Sequence, residues 1–394
     1  MSKSVVPAER ISKVEEYYFS IKLKEIAKMN AEGAGVINLG IGSPDMPPTL
    51  KVREMLAKSA MEETVHGYQP YVGIPQLREA FAAWYRRYYS VELDPSNEIL
   101  PLMGSKEGVM HISMAFVNAG ESVLLPNPGY PTYFSVSKLI GAKIIEYSLD
   151  ESHDWHPDLE DLERRHNAGE IDLNAVKLMW CNYPNMPTGA NGSRELFEKI
   201  VAFGKRWGIV ICHDNPYSFI LNDHPISILS VPGAKEICIE LNSLSKAFNM
   251  PGWRIGMAAS NSRFIEWVLR VKSNMDSGMF RPMQLAAVEA LAQGDEEYAK
   301  MNAVYAARRE LARAILEAAG CRVRENQVGL FLWGEISGGV SAKELSDKLL
   351  YEAKVFLTPG FIFGSNGERY MRISLCCNEQ NLAEALARVK SVIK

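Results

Sequence analysis

The chain is 394 residues long, with 47% hydrophobic and 23% charged residues, ordinary values for a soluble globular enzyme of roughly two or three domains. Its 43 basic and 47 acidic side chains leave a net charge of −4, so composition gives no case for nucleic acid or an anionic membrane surface. No apolar run is long enough to cross a bilayer, and Met1-Ser2-Lys3-Ser4 leads into charged residues without a signal-peptide core, so a cytoplasmic location is expected.

The six cysteines (Cys181, Cys212, Cys238, Cys321, Cys376 and Cys377) form no C-x-x-C pair, and the seven histidines show no metal-ligand spacing. Buried reduced thiols and no metal site are expected. In chain order, Val14 to Phe19 and the amphipathic stretch Ile21–Met29 read as an N-terminal arm and helix, whose aromatics should pack on something. Val36 to Asp45 reads as a short strand running into a glycine-rich turn, stopped by Pro47-Pro48. Gly40 and Gly42 lack the third glycine and following helix of a dinucleotide fingerprint, which argues against a nicotinamide dehydrogenase. Around Tyr68, turn residues give way to a helix near Pro75.

Gly104 permits a tight strand-to-helix turn, Ser105 suits an N-cap, and the helix they open should run to about Asn118. Such a helix start presents free N–H groups to an anion. The buried strand Val123–Leu125 ends in a loop carrying Tyr130, and strands of open α/β sheets hold ligands at that edge. A polar surface segment, 151–174, precedes the strand Val176–Trp180 and the turn Cys181 to Gly189. The next apolar strand, Ile209–Cys212, ends in His213-Asp214-Asn215-Pro216-Tyr217, where His213 reads as packing.

A further buried strand, Ile237–Leu241, leads into Asn242-Ser243-Leu244-Ser245-Lys246 and, eight residues after the lysine, Arg254. Lys246 stands among apolar residues, where an amine gives up its proton more easily and becomes a better nucleophile. Ser243, Ser245 and Arg254 would suit a phosphate, with two hydroxyl donors and one bidentate fork. Helices are expected over Phe264–Val271, from about Gly278, and over Glu296–Gly320. A strand at Gly329–Trp333 and helices at 341–353 and 379–393 complete the pattern. Arg372 lies in an apolar strand near the C-terminus and needs a partner for its charge.

The S-x-S-K block at Ser243–Lys246, followed by G-x-R-x-G at Gly252–Gly256, resembles the cofactor-lysine motif of the class I/II aminotransferases, the fold-type I enzymes that use pyridoxal phosphate. The resemblance runs from about residue 36 to 380 and looks nearest to the subgroup containing LL-diaminopimelate and broad amino-acid aminotransferases. It implies an α/β fold: a large domain with a mostly parallel seven-stranded sheet between helices, and a smaller α/β domain built from both termini. The implied division is 1–50 (arm and part of the small domain), 51–290 (large, cofactor-binding) and 291–394 (small).

It also implies roles. Lys246 would be the catalytic residue and the covalent anchor of the cofactor. Gly104, Ser105 and Lys106 would lie in the cofactor site, the lysine with no role of its own. Tyr130 would stack on the pyridine ring, Asp214 would pair with the ring nitrogen and Tyr217 would bond the phenolic oxygen. Ser243, Ser245 and Arg254 would cradle the phosphate, together with Tyr68 of a second subunit, which makes the enzyme a homodimer. Ile41, Gly42 and Arg372 would bind the substrate, an amino acid or 2-oxo acid, through its carboxylate.

One departure stands out. The family asparagine before the Pro-Thr-Gly turn donates to the phenolic oxygen; here that position is Met186, which cannot donate. Either Asn185 has moved into the role, or Tyr217 carries that oxygen alone. Loss of the donor should raise the pKa of the lysine–cofactor linkage. Rival activities on the same scaffold are C–S β-lyases and cyclopropane-carboxylate synthases, which differ in leaving group. A silent cofactor-binding regulator would usually carry a DNA-binding domain, for which residues 1–35 are too short.

Overall fold

The computed structural model describes residues 4–14, 16 and 18–393. Glu15 and Tyr17 of the N-terminal aromatic stretch lie outside the described residues. Helix α1 (Tyr18–Ala31) and the two-residue strand β1 (Ile37–Asn38) come first, then α2 (Leu50–Ala60) and α3 (Pro75–Tyr89). Pro75 opens α3 at a position where its missing N–H costs nothing. Strands and helices then alternate: β2 (Ile99–Leu102), α4 (Ser105–Phe116), β3 (Ser122–Asn127), α5 (Pro131–Ile140) and β4 (Lys143–Ser148). They continue through α6 (Leu159–Asn167), β5 (Val176–Asn182), α7 (Arg194–Trp207), β6 (Val210–Asp214), β7 (Cys238–Ser243) and β8 (Gly256–Ala259).

Seven of these strands form one sheet in the order β2-β8-β7-β6-β5-β3-β4. Strand β8 runs antiparallel to β2 and β7, and the other neighbours are parallel. The expected mostly parallel sheet is therefore present. Strands β3, β6 and β7 are buried along their whole length, as a sheet covered on both faces requires, while the edge strand β4 is largely half-exposed. Register aligns the strand ends that matter: Asn182 pairs with Asp214, and Asp214 with Leu241. The carboxyl ends of β5, β6 and β7 thus open on one edge, where ligands of such sheets bind.

Helices α8 (Ser262–Lys272), α9 (Arg281–Leu291) and the long α10 (Asp295–Ala318) lead to a second sheet. It contains β9 (Cys321–Val323), β10 (Phe331–Ile336), β12 (Thr358–Pro359) and β13 (Tyr370–Ser374), all antiparallel. Helix α11 (Ala342–Lys348) continues through a wider turn at Leu349–Ala353 into β11 (Val355–Phe356), and α12 (Glu379–Val392) ends the fold. The N-terminus joins this part: β1 pairs in parallel with β11, Ile37 opposite Val355. Ile26 of α1 packs with Val36, Leu350 and Phe356, and Lys22 pairs with Asp347 at 3.0 Å.

The terminal aromatics pack as expected, with Tyr18 edge-on to Phe361 at 5.4 Å between ring centroids. The short turn Glu9–Lys13 lies against α5 of its own chain. Buried Arg308 on α10 takes Asp45 at 2.6 and 3.0 Å, Glu379 at 3.1 Å and the Leu375 carbonyl at 3.3 Å. It ties the loop after β1, a wall of the cavity described next, to the chain after β13. Among the described residues, no helix is long and apolar enough to cross a membrane.

Candidate active site

A cavity of about 760 Å³ lies where the carboxyl ends of β5–β7 meet the second sheet and α1. Lys246 projects into it just after β7. Its Nζ donates to the Gly42 carbonyl at 2.6 Å. Burial holds the Lys246 pKa below the ordinary lysine value; Arg372 and Arg254 push the same way, while Cys376 and Asp214 oppose them. The amine therefore has the environment its apolar neighbours in sequence suggested.

A donor cradle sits on one side. Ser243 Oγ donates to Ser245 Oγ at 2.9 Å, and Arg254 Nη1 reaches Ser245 Oγ at 3.3 Å and the Pro251 carbonyl at 2.9 Å. Arg254 holds a left-handed backbone (φ 56°), a conformation that costs a non-glycine residue about 1–2 kcal/mol. The start of α4 faces it. Gly104, not Ser105, is the N-cap, with φ 83°, and Ser105 is the first helical residue. A Cβ on Gly104 would stand 2.1 Å from Arg254 Nη2, and one on Gly256 would stand 2.8 Å from the Ser105 nitrogen. Only glycine at both positions lets the helix start, the serines and the arginine converge. Lys106 also lines the cavity, exposed at its rim.

Asp214 ends β6 and is buried. Its Oδ2 accepts from the Tyr133 hydroxyl at 2.8 Å, and its Oδ1 has no partner among the described residues. Burial raises its pKa to about 6; the Tyr133 hydrogen bond, His213 and Lys246 pull the other way. Tyr133 is itself fixed by stacking on Trp180, with centroids 5.0 Å apart and planes within 12°. Tyr130 meets Tyr133 edge-on at 5.4 Å, and Tyr217 lines the cavity with its pKa raised by burial. His213 points away from this chemistry. Its Nδ1 lies 2.7 Å from Glu240 Oε2 and its Nε2 2.9 Å from the Tyr183 carbonyl, both partners buried, so it packs the core as expected.

The turn after β5 corrects one expectation. Asn185 is not brought to the cavity: its Nδ2 donates to the Asn182 carbonyl at 3.1 Å and its Oδ1 accepts from the Thr188 hydroxyl at 2.7 Å. Holding the turn consumes its amide. Asn182 and Met186 line the cavity instead. Asn182 is also committed, its Nδ2 donating to the Asp214 carbonyl at 2.6 Å and its Oδ1 accepting from the Met186 N–H at 2.8 Å.

Arg372 reaches in from β13 and is only 4% exposed. Its Nη2 donates to the Gly40 carbonyl at 2.6 Å and its Nη1 to the Met186 sulfur at 3.1 Å. Its guanidinium carbon lies 4.0 Å from the ring centre of Phe331, 4.6 Å from Phe363 and 5.5 Å from Phe19, an aromatic cage that favours a cation. Gly42 fits under Phe331, since a Cβ there would stand 2.1 Å from its Cζ, and Ile41 is 36% exposed at the rim. Tyr68 is 94% exposed and lies outside the cavity of its own chain.

Several lining residues were not foreseen. Tyr133 could have been read from its place three residues after Tyr130, one turn along α5. Asn182, Phe19 and Phe331 carry no local signal, because they converge only through the fold. Elsewhere, Glu107, His111 and Asp276 gather their ligand atoms within 4.8 Å. There the cation beside Asp276 is an ammonium, because Lys272 Nζ takes both its carboxylate oxygens at 2.8 and 2.7 Å.

A buried amine of lowered pKa, a buried carboxylate, a phosphate-type cradle and a caged arginine meet in one cavity at the strand ends of a fold-type I architecture. The family model for aminotransferase class I and II matches residues 34–389, and the chain belongs to that family. It is an enzyme that transfers amino groups. It is 39% identical over 388 residues to LL-diaminopimelate aminotransferase of Oleidesulfovibrio alaskensis, with 98% of each chain covered. Among solved structures it is similar to substrate-bound BacF of Bacillus subtilis (34% identity, TM-score 0.91, 99% of this chain and 98% of that one). It also matches a probable N-succinyldiaminopimelate aminotransferase of Thermus thermophilus (32% identity, TM-score 0.85, 95% of this chain and 99% of that one).

Proposed function

We propose that the cavity binds pyridoxal phosphate and that Lys246 is the catalytic base and covalent anchor of an L-amino acid:2-oxo acid aminotransferase. The observation that carries this reading is Asp214 Oδ1, buried beside Lys246, without a partner among the described residues and therefore suited to a protonated ring nitrogen. The donor set fits the other end of the cofactor: Ser243, Ser245, Arg254 and the N–H groups at the start of α4 suit a phosphate. Tyr130 offers a ring face and Tyr217 a hydroxyl for the phenolic oxygen, with neither Asn185 nor Met186 supplying a second donor.

When bound, the cofactor supplies an electron sink for the carbanion formed at the substrate α-carbon. The chain's own residues do the rest. Arg372 holds the substrate α-carboxylate through its two outer nitrogens. Lys246 Nζ, kept neutral more readily by burial, takes the proton from the α-carbon. Asp214 stays ionised opposite a positive partner, and α1 with Phe19 and Leu23 narrows the mouth against water.

The reading extends to assembly. Tyr68, exposed on its own chain, completes the phosphate cradle of a second copy, so the working unit is a homodimer in the cytoplasm. Residues 51–290 form the cofactor-binding domain, and 1–50 with 291–394 form the rest. LL-diaminopimelate, named for the relatives at 37–39% identity, is the first donor to assay, with 2-oxoglutarate as acceptor. Oxo-acid formation matched by acceptor amination supports the reading. Release of ammonia and pyruvate instead would assign a β-lyase.

A further inference from the structure

Met186 is a cavity residue that the proposed chemistry leaves without a task. It is 5% exposed, follows the turn after β5, and its N–H is pinned to Asn182 Oδ1 at 2.8 Å. Its sulfur accepts from Arg372 Nη1 at 3.1 Å. The other outer nitrogen, Nη2, is bound to the Gly40 carbonyl at 2.6 Å, and aromatic rings flank the guanidinium. A thioether is a weak acceptor. A carboxylate is a strong one, and it binds a guanidinium best through two parallel N–H bonds.

We propose that Met186 is a positioning residue for the carboxylate clamp: its sulfur holds Arg372 Nη1 weakly in the free enzyme and yields that N–H to the substrate carboxylate, where a stronger acceptor would keep it. The proposal rests on Arg372 being the clamp. A weak acceptor at this position does two things. It satisfies Nη1 in the free enzyme, and it competes little when the carboxylate arrives. A strong acceptor at 186 would hold Nη1 and tax binding. An apolar residue of the same size would remove the sulfur's competition for Nη1.

The test titrates propionate, an unreactive carboxylate, into the cofactor-loaded enzyme, followed by ligand-observed NMR and by cofactor absorbance. The variants are Met186→Leu, Met186→Gln and Arg372→Met. Met186→Gln should weaken propionate binding about tenfold, the cost of displacing one charge-assisted hydrogen bond. Met186→Leu should bind as tightly as the parent or up to about threefold tighter, since the bond it removes is a weak one. In amino-acid turnover Met186→Gln should raise KM more than it lowers kcat, and Met186→Leu should leave KM at or below the parent value. Equal affinities for parent and Gln variant, or a Leu variant weaker than the Gln variant, would overturn the proposal. Arg372→Met separates the two claims. If it abolishes propionate binding while the 186 variants behave alike, only the role of Met186 fails. If it binds propionate like the parent, the clamp itself fails.

Discussion

Replacing Gly104 by alanine tests whether the phosphate cradle depends on the close approach of α4 to Arg254. Two costs follow. The backbone at φ 83° is unfavourable for any residue with a Cβ, about 1–3 kcal/mol. The new methyl would also stand 2.1 Å from Arg254 Nη2, so the guanidinium must move and its 3.3 Å bond to Ser245 breaks. A displaced guanidinium loses a charge-assisted bond to a bound phosphate, about 1.5–3 kcal/mol, or about 10- to 100-fold in cofactor affinity. Gly120→Ala supplies the control: it has φ 89° but nothing within 4 Å of its added Cβ. Both variants should lose thermal stability by similar amounts, and only Gly104→Ala should bind pyridoxal phosphate weakly in an absorbance or fluorescence titration. If Gly104→Ala binds the cofactor as tightly as Gly120→Ala, the argument for a cradle closed by Arg254 and α4 is wrong.

Asp214 has its folded-state pKa raised from 3.8 to about 6, so in the cofactor-free protein its ionisation costs stability as pH rises between those values. Asp214→Asn should therefore stabilise the cofactor-free enzyme at pH 8 by about 2–3 kcal/mol and leave it unchanged near pH 3, while abolishing amino transfer; melting curves at the two pH values check this. Tyr133→Phe removes the hydroxyl donated to Asp214 Oδ2 at 2.8 Å, a contact that favours the charged carboxylate, so its pKa rises further. The acid limb of the cofactor-affinity profile should then move to higher pH. Tyr68→Phe should weaken cofactor affinity about tenfold in a dimeric enzyme, the loss of one charge-assisted bond, and sedimentation should find the dimer intact. Unchanged affinity would remove Tyr68 from the cradle.

Residues that carry chemistry at the ends of apolar strands were readable from the chain. Arg372 interrupts an apolar strand, and Asp214 and Ser243 close strands that are buried throughout, so a polar group in each place needs a reason. Strands β3, β5, β6 and β7 were readable for a related cause, since buried parallel strands are near-continuous apolar runs, whereas β4 and β8 gave no such signal. What stayed hidden depends on convergence or on short-range competition. The cage around Arg372 brings Phe19, Phe331 and Phe363 from segments with no local link. The fate of Asn185 was decided by the Thr188 hydroxyl and the Asn182 carbonyl, turn contacts that outbid a distant ligand oxygen. The cap of α4 fell to Gly104 because the turn needs a positive φ, which Ser105 would resist.

The central claim is that Lys246 holds and works the cofactor. It is tested most directly by adding pyridoxal phosphate and then single amino acids, LL-diaminopimelate first, to the parent enzyme and to Lys246→Ala while following visible absorbance. The account predicts a yellow band in the parent that bleaches with an amino donor and returns with a 2-oxo acid, and no such cycle in Lys246→Ala. A parent band that no amino acid bleaches, or a Lys246→Ala enzyme that cycles like the parent, would contradict it.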